Sequence, residues 1–292
     1  MSVFSVLPTP FDATGNVDTD SLGRVIDLFI QDGVTGFTAL GVTSEVARLS
    51  DAERDSVLET VLAHVGGRVP VVAGTTADGL RTCIEYTRRA KAAGATSVMI
   101  SPPRMPKINS DAVARHFAEV AAAVDIPIIV QDYPPISGYA MEASLLARIA
   151  RDVPSARTVK LEDPPTPFKT SRILEQTPGL DVRIYGGLGG VFLLEELMAG
   201  AAGAMTGFAF PSILVHIVTL FRAGRVDAAA DLFYRKVPLM RFEFQDGIGM
   251  AIRKEVLRRR GAIETPAIRA PGGLLDAATL AALDRVMSWV GQ

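Results

Sequence analysis

The sequence predicts an α/β fold, a (β/α)8 TIM barrel that carries a C-terminal helical extension. Eight short apolar runs recur at intervals of roughly 20–30 residues, and every run but the last is followed by a clear helical pattern. The runs are continuously apolar rather than alternating, which is typical of parallel strands covered by helices. From Pro211 onward only helical patterns remain. Eight strand–helix steps in one chain favour a closed barrel over an open doubly wound sheet.

The predicted elements follow one another from the first residues. The strands are residues 4–8, 36–40, 69–74, 96–102, 126–132, 156–162, 181–187 and 203–207. The most distinct helical patterns between them are residues 18–32, 50–66, 78–94, 110–124, 141–151 and 190–200. Ser50 stands three residues before Glu53, a capping-box pattern that marks a helix start. The turn after the first strand, LPTPFD, lacks the glycines with which an open sheet binds a dinucleotide.

The sequence predicts a single domain that has two parts. Residues 1–210 form the predicted barrel, and residues 211–292 form a helical extension packed on it. No linker, low-complexity segment or block of like charge separates the two parts. We therefore expect the extension to belong to the same domain as the barrel.

Composition and charge restrict the possible partners. The 292 residues carry a formal net charge of −2, which gives no electrostatic basis for binding nucleic acid or an anionic membrane. Cys83 is the only cysteine, so intrachain disulfides and multi-cysteine metal sites are excluded, and a reducing compartment fits. The N-terminus does not resemble a signal peptide, and no apolar run reaches the ~18 residues that span a membrane. The three histidines, within helical patterns, lack metal-ligand spacing. We expect a cytoplasmic protein without a metal.

Lys160 and Glu162 are the strongest candidates for chemistry. They lie two residues apart in the predicted sixth strand, so their side chains and that of Thr158 share one face. If Val159 and Leu161 face the helices, the polar face lines the lumen near the C-terminal mouth, where such barrels place their active sites. Burial favours the free amine, which can attack a carbonyl, and a carboxylate about 7 Å along the strand can move a proton. The alternative is a satisfied ion pair in the core.

Three further strand ends supply polar or flexible groups. Thr43 and Ser44 follow the second strand and offer hydroxyl and backbone donors to a small carboxylate, although an ordinary capped loop would look the same. Gln131 ends the fifth strand and can exchange hydrogen bonds without titrating. The glycines around Gly186 and Gly187 let a ligand approach the backbone, which alone is a weak signal.

Short motifs along nearly the whole chain resemble the dihydrodipicolinate synthase/N-acetylneuraminate lyase family. They are LPTPF (7–11), GVTSE (41–45), AGTT (73–76), SPPR (101–104), PPISG (134–138), VKLE (159–162) and RKEVLRRRGAI (253–263). The resemblance implies a barrel with a C-terminal helical extension, assembled as a homotetramer or dimer. It also implies a Schiff base between Lys160 and the C2 atom of pyruvate or another 2-oxo acid, without a separate cofactor. Thr43 and Ser44 would contact the carboxylate, and Gly186 and Gly187 would approach the substrate.

The sequence departs from the synthase pattern at four positions. Val42 replaces the first threonine of the loop, and Gln131 replaces the tyrosine of strand five. Ile136 replaces the arginine that binds a second substrate, and Arg104 replaces the tyrosine that follows strand four. The departures argue against dihydrodipicolinate synthesis, and they leave Arg104 as a candidate contact that sets substrate specificity.

A lysine followed two residues later by glutamate, with glutamine at the strand-five position, resembles the 2-keto-3-deoxy-L-arabonate dehydratase-like branch of the family. We therefore expect a lyase that acts on a 2-oxo acid, with Lys160 as imine former, Glu162 as proton carrier and Gln131 beside them. A pyruvate-dependent aldolase or a synthase is the second hypothesis. A barrel that binds a 2-oxo acid without catalysis is the third.

Overall fold

A computed structural model describes residues 1–292, and its eight parallel strands close into a barrel in sequence order. The strands are β1 (Ser2–Val6), β2 (Gly36–Ala39), β3 (Val71–Gly74), β4 (Ser97–Ile100), β5 (Ile128–Asp132), β6 (Thr158–Leu161), β7 (Arg183–Gly186) and β8 (Gly203–Thr206). The predicted fold class is confirmed. No helix of the protein is long and apolar enough to cross a membrane.

Twelve α-helices surround and extend the barrel. They are α1 (Thr19–Gln31), α2 (Asp51–Val65), α3 (Leu80–Ala93), α4 (Ser110–Ala123), α5 (Pro134–Ser137), α6 (Ala143–Asp152), α7 (Thr166–Glu175), α8 (Leu193–Met198), α9 (Pro211–Arg222), α10 (Val226–Glu243), α11 (Gly249–Arg259) and α12 (Ala277–Val290). The capping box at Ser50 and Glu53 is present at the start of α2. The helix predicted over residues 190–200 is shorter, because Gly189 and Gly190 adopt φ values of +62° and +82°, a left-handed conformation that a helix cannot include.

Apolar side chains fill the fold in two layers. A large cluster runs between the strands and the helices, from Val3 to Val290. A smaller cluster fills the interior of the barrel, as alternation of side chains along each strand requires. Its members are Val72, Met99, Ile129, Tyr185 and Met205. This inner cluster closes the lumen below the C-terminal ends of the strands, so polar groups are accommodated only at the mouth.

The C-terminal helices complete the barrel and then extend it. The helix α9 follows β8 and packs against β1, while α10 packs on α9, α11 and α12. The boundary that we predict near residue 210 falls between β8 and α9. Residues from both sides of it share the large apolar cluster. The extension also brings the end of α10 and the start of α11 to the mouth of the barrel, beside the strand ends.

Candidate functional site

The C-terminal mouth of the barrel contains a cavity of about 240 Å³ that reaches Lys160 and Glu162. The register places Lys160 beside Gln131 on β5 and Tyr185 on β7. The Lys160 Nζ lies 3.1 Å from Glu162 Oε2, and the two residues are only 4% and 7% exposed. The shared face that strand alternation predicts therefore brings an amine and a carboxylate into contact at the end of a closed lumen.

A short chain of hydrogen bonds fixes the Glu162 carboxylate. Gln131 Nε2 donates to Glu162 Oε2 at 2.7 Å, and Ser101 Oγ donates to Gln131 Oε1 at 3.0 Å. Burial raises the pKa of Glu162, and the positive charge of Lys160 and the hydrogen bond from Gln131 only partly offset it. A carboxylate whose pKa is raised is a stronger proton acceptor, which suits a general base.

The two predicted glycines, Gly186 and Gly187, leave room for the side chains of two different glutamates. A Cβ at Gly187 would collide with Glu162 Cγ, so the absence of a side chain leaves room for Glu162 in the lumen. A Cβ at Gly186 would collide instead with Glu196, which lies on α8 outside the sheet. Gly187 lines the cavity and Gly186 does not. Glu196 is buried with only the Thr166 hydroxyl as partner, and burial raises its pKa to about 7.

Of the two predicted residues in the loop after β2, only Thr43 lines the cavity. The Thr43 hydroxyl is buried without a partner. Ser44 is turned inward: its hydroxyl donates to the Leu7 carbonyl at 2.5 Å and accepts from the Gly41 amide at 3.1 Å. Ser44 therefore holds the loop in shape, while Thr43 is free to meet a ligand.

Arg104 does not reach the cavity. Its side chain is exposed, and its backbone amide donates to Asp78 Oδ1 at 2.9 Å. Of the predicted site residues, the structure brings together Lys160, Glu162 and Gln131, and it adds Thr43 and Gly187 around them. It leaves out the side chains of Ser44 and Arg104, and it leaves Gly186 facing α8.

Sequence reasoning did not identify Tyr133 as a cavity residue. Tyr133 lies between β5 and the short helix α5, and it lines the cavity together with Lys160 and Glu162. Burial, together with the negative charge of Glu162, raises the pKa of its phenol. Its place just beyond a strand end was the available signal.

Arg253 and Glu243 also line the cavity, and neither is predicted by sequence. Both are buried, and they come from the helices α11 and α10. Arg253 Nε donates to Glu243 Oε1 at 2.7 Å. Arg253 begins the motif RKEVLRRRGAI, but nothing in the local pattern distinguishes it from the other arginines of this run, so the sequence does not indicate that Arg253 lines the cavity.

Two other lysines are buried, so burial alone does not single out Lys160. Lys169 Nζ contacts Asp132 and Asp163 at 2.5 and 2.7 Å. Lys254 Nζ contacts Glu45 Oε1 at 2.5 Å and donates to the Ala267 carbonyl, and burial lowers its pKa to about 8. Neither lysine lines the cavity. Among the buried lysines, Lys160 is the one whose amine faces space that a substrate could occupy.

Clusters of metal-ligating side chains are absent: no three His, Cys, Asp or Glu residues are grouped so as to hold a metal ion. The polar groups of the cavity are an amine, two guanidiniums, carboxylates, a carboxamide, a phenol, hydroxyls and backbone amides. Such a set can form an imine with a ketone, bind an anion and transfer protons.

The chain is similar to known proteins along nearly its whole length. A model of the Dihydrodipicolinate synthetase family matches residues 1–289. The chain is 34% identical over 275 residues to L-2-keto-3-deoxyarabonate dehydratase from Azospirillum brasilense, which is 92% of this chain and 87% of that protein. It is 32% identical over 289 residues to 4-hydroxy-tetrahydrodipicolinate synthase from Methanoculleus marisnigri, covering 98% and 97% of the two chains. The crystal structure of dihydrodipicolinate synthase from Rhodopseudomonas palustris superposes with a TM-score of 0.92 at 33% identity, covering 99% and 97% of the two chains.

Proposed function

Because the chain belongs to the dihydrodipicolinate synthetase family, we propose that it is a Schiff-base-forming lyase that removes water from a 2-keto-3-deoxy sugar acid. The observation that carries the proposal is the contact of Glu162 with both Lys160 and Gln131. One buried carboxylate next to the amine provides the single base that a dehydration requires. Lys160 itself supplies the covalent chemistry, so no separate cofactor is needed.

In the proposed reaction, the Lys160 amine adds to the C2 carbonyl, and loss of one water gives a protonated imine. The Glu162 carboxylate removes a proton from C3, and the electron pair moves toward the iminium nitrogen to form an enamine. Return of that pair expels the C4 hydroxyl, which takes the proton from Glu162 and leaves as water. Hydrolysis then consumes one water and frees both Lys160 and the product. The net change is loss of one water from the substrate.

Two features favour dehydration over cleavage of a carbon–carbon bond. Gln131, which cannot relay a proton, occupies the end of β5 and donates its hydrogen bond to Glu162. The relative from Azospirillum brasilense is named for the dehydration of L-2-keto-3-deoxyarabonate, and this chain covers most of its length. That sugar acid and its close analogues are therefore the first substrates to test.

A retro-aldolase is the second candidate, and Tyr133 is the observation that favours it. Its phenol lies on the same cavity as Lys160 and Glu162, so it could carry the proton that carbon–carbon cleavage releases. Tyr133→Phe separates the two readings. A dehydratase that relies on Glu162 keeps most of its activity, whereas an aldolase that relies on the phenol loses it.

Borohydride trapping tests the proposal directly. Reduction in the presence of a 2-keto-3-deoxy sugar acid should leave a stable adduct on the peptide that contains Lys160. Lys160→Met should abolish the adduct, and the exposed Lys91→Met should not. The released products then identify the reaction, since a dehydrated 2-oxo acid supports the proposal and free pyruvate with an aldehyde supports the aldolase. Binding without adduct or turnover would leave only a 2-oxo-acid-binding protein.

We further propose that the chain works in the cytoplasm as a homodimer or homotetramer. The resemblance to an oligomeric family supports assembly, and several large apolar side chains are exposed on the isolated chain, where an interface would bury them. The most exposed are Phe168, Met198, Leu274 and Trp289. Sedimentation velocity tests the proposal, and a single species with the mass of one chain at micromolar concentration contradicts it.

A further inference from the structure

Two buried polar groups at the cavity have no hydrogen-bond partner in the protein. They are Arg253 Nη1 and the Thr43 hydroxyl. The two groups converge: a Cβ placed on Gly207 would collide with Arg253 Nη1 and stand 2.9 Å from Thr43 Oγ1. A buried polar group without a partner costs free energy, and a charged group costs more than a neutral one. Two such groups facing one point indicate that a ligand supplies what the protein does not.

The protein holds the Arg253 guanidinium in place from its other edge. Arg253 Nε donates to Glu243 Oε1 at 2.7 Å, and both Glu243 oxygens accept from the Ala209 amide at 3.1 Å. Ala209 lies in the loop between β8 and α9. The guanidinium is therefore clamped between the C-terminal helices and the barrel, and its Nη1 is left without a protein partner. A planar, fixed guanidinium edge is suited to a carboxylate.

We propose that Arg253 binds the carboxylate of the 2-oxo acid, next to Thr43, and that Glu243 positions Arg253 for this contact. The inference rests on the proposed function, because it places the substrate carboxylate beside the ketone carbon that Lys160 attacks. Lys160, Thr43 and Arg253 line the same cavity. The chemistry follows from the donors: Arg253 has no acceptor atom, and the Thr43 hydroxyl can donate, so their common partner is a hydrogen-bond acceptor, and the positive charge of Arg253 favours an anion. The C-terminal extension thus contributes a substrate-binding residue to the barrel.

The decisive comparison uses two ketones that differ in one group. Pyruvate carries the carboxylate, and hydroxyacetone has a hydroxymethyl group in its place, with one oxygen atom fewer. We expect wild-type protein to form the borohydride-trapped adduct faster with pyruvate. We expect Arg253→Met to reduce that preference by roughly 10- to 100-fold, the scale of a hydrogen bond to a charged group. Arg258→Met, at an exposed arginine of the same helix, should leave the preference unchanged.

A structural role for Arg253 predicts a different result. If the substitution only loosened the fold, trapping of both ketones would fall by the same factor, and that outcome overturns the proposal. If Arg253→Met does not fold, Gly207→Ala replaces it. The added methyl group would displace Arg253 Nη1 from the point where it meets Thr43 Oγ1, while the guanidinium itself and the Thr43 hydroxyl are retained. It should reduce the preference for pyruvate in the same direction.

A second measurement separates this inference from the proposed function. In a Lys160→Met background no imine can form, and calorimetry then reports noncovalent binding of pyruvate alone. Adding Arg253→Met should weaken that binding at least tenfold, and equal binding in the two proteins contradicts the role of Arg253. If wild-type protein forms no adduct while this difference persists, the Schiff-base function fails and the carboxylate site stands.

Discussion

Glu162 is the residue on which the proposed reaction depends most. It must accept the C3 proton and return it to the leaving hydroxyl, while Lys160 needs only to form the imine. Glu162→Gln keeps the size and polarity of the side chain but cannot accept a proton at neutral pH. We expect the variant to form the borohydride-trapped adduct at a rate near that of the wild type, with kcat lower by about 10²–10⁴-fold. Loss of trapping together with turnover would show that Glu162 is needed for imine formation instead.

The raised pKa of Glu162 also predicts how activity depends on pH. The general base must be ionised, so kcat/KM falls as pH drops through the pKa of Glu162. Because burial raises that pKa above the ordinary value of 4.5, we expect the acidic limb of the profile at a pH higher than an exposed glutamate would give. A limb that persists unchanged in Glu162→Gln would belong to another group.

Substitution of Gln131 should move the acidic limb of the kcat/KM profile along the pH axis. Its amide donates to Glu162 Oε2 at 2.7 Å and so lowers the pKa of the carboxyl. Gln131→Leu removes this hydrogen bond, and we expect the acidic limb of kcat/KM to shift to higher pH. Ser101→Ala is the matched control, since Ser101 contacts Gln131 but not Glu162, and it should shift the limb less. A shift to lower pH in Gln131→Leu contradicts the role assigned to the amide.

The strands and the site residues on them are predictable from the sequence, whereas the helical residues that line the same cavity are not. Alternation along β6 is a local property, so the shared face of Lys160 and Glu162 follows from the sequence once the strand is recognised. Arg253 reaches the same cavity only because α11 packs across the mouth of the barrel, and that packing depends on contacts distant in sequence. The helix predicted over residues 190–200 is longer than the observed α8 for a different reason. Two glycines there adopt left-handed backbone, a choice that an apolar pattern does not reveal.

The helix α8 carries a buried carboxylate that makes stability depend on pH. Glu196 faces β7 with only Thr166 as hydrogen-bond partner, and burial raises its pKa from 4.5 to about 7. The folded protein therefore retains this proton at pH values where the unfolded chain has released it. The stabilisation is full below pH 4.5 and is lost as pH rises through about 7, a change of roughly 3 kcal/mol.

Glu196→Gln should remove this dependence, because an amide keeps a polar contact with Thr166 but does not titrate. Urea unfolding at pH 5.5 and pH 8 measures it: we expect wild-type protein to lose more stability than the variant between the two values. Glu175→Gln, at an exposed glutamate on α7, is the control and should follow the wild type. Parallel losses in wild type and Glu196→Gln would show that other carboxylates cause the dependence.

One buried ion pair connects two distant parts of the molecule. It joins the C-terminal extension to the barrel loop that carries Thr43. Lys254 on α11 contacts Glu45 at 2.5 Å, and both side chains are completely buried. Glu45 adopts φ +57° and also contacts Arg48 and the Arg269 amide. Lys254 lies next to Arg253 in the chain, so the same contact that fixes the loop also fixes the helix that carries the proposed carboxylate anchor.

Removing one partner of this pair should cost far more than removing both. Lys254→Met leaves the buried Glu45 carboxylate with Arg48 as its one remaining cationic partner, and we expect a loss of roughly 3 kcal/mol of unfolding free energy. Adding Glu45→Gln removes the carboxylate that has lost its ammonium, so the double variant should recover part of that loss. A double-mutant cycle from urea unfolding measures the coupling between the two sites. The double variant should also bind pyruvate more weakly than wild type, because the loop that presents Thr43 is no longer tied to α11. Additive losses with unchanged pyruvate binding would show that the loop and the extension hold their positions independently.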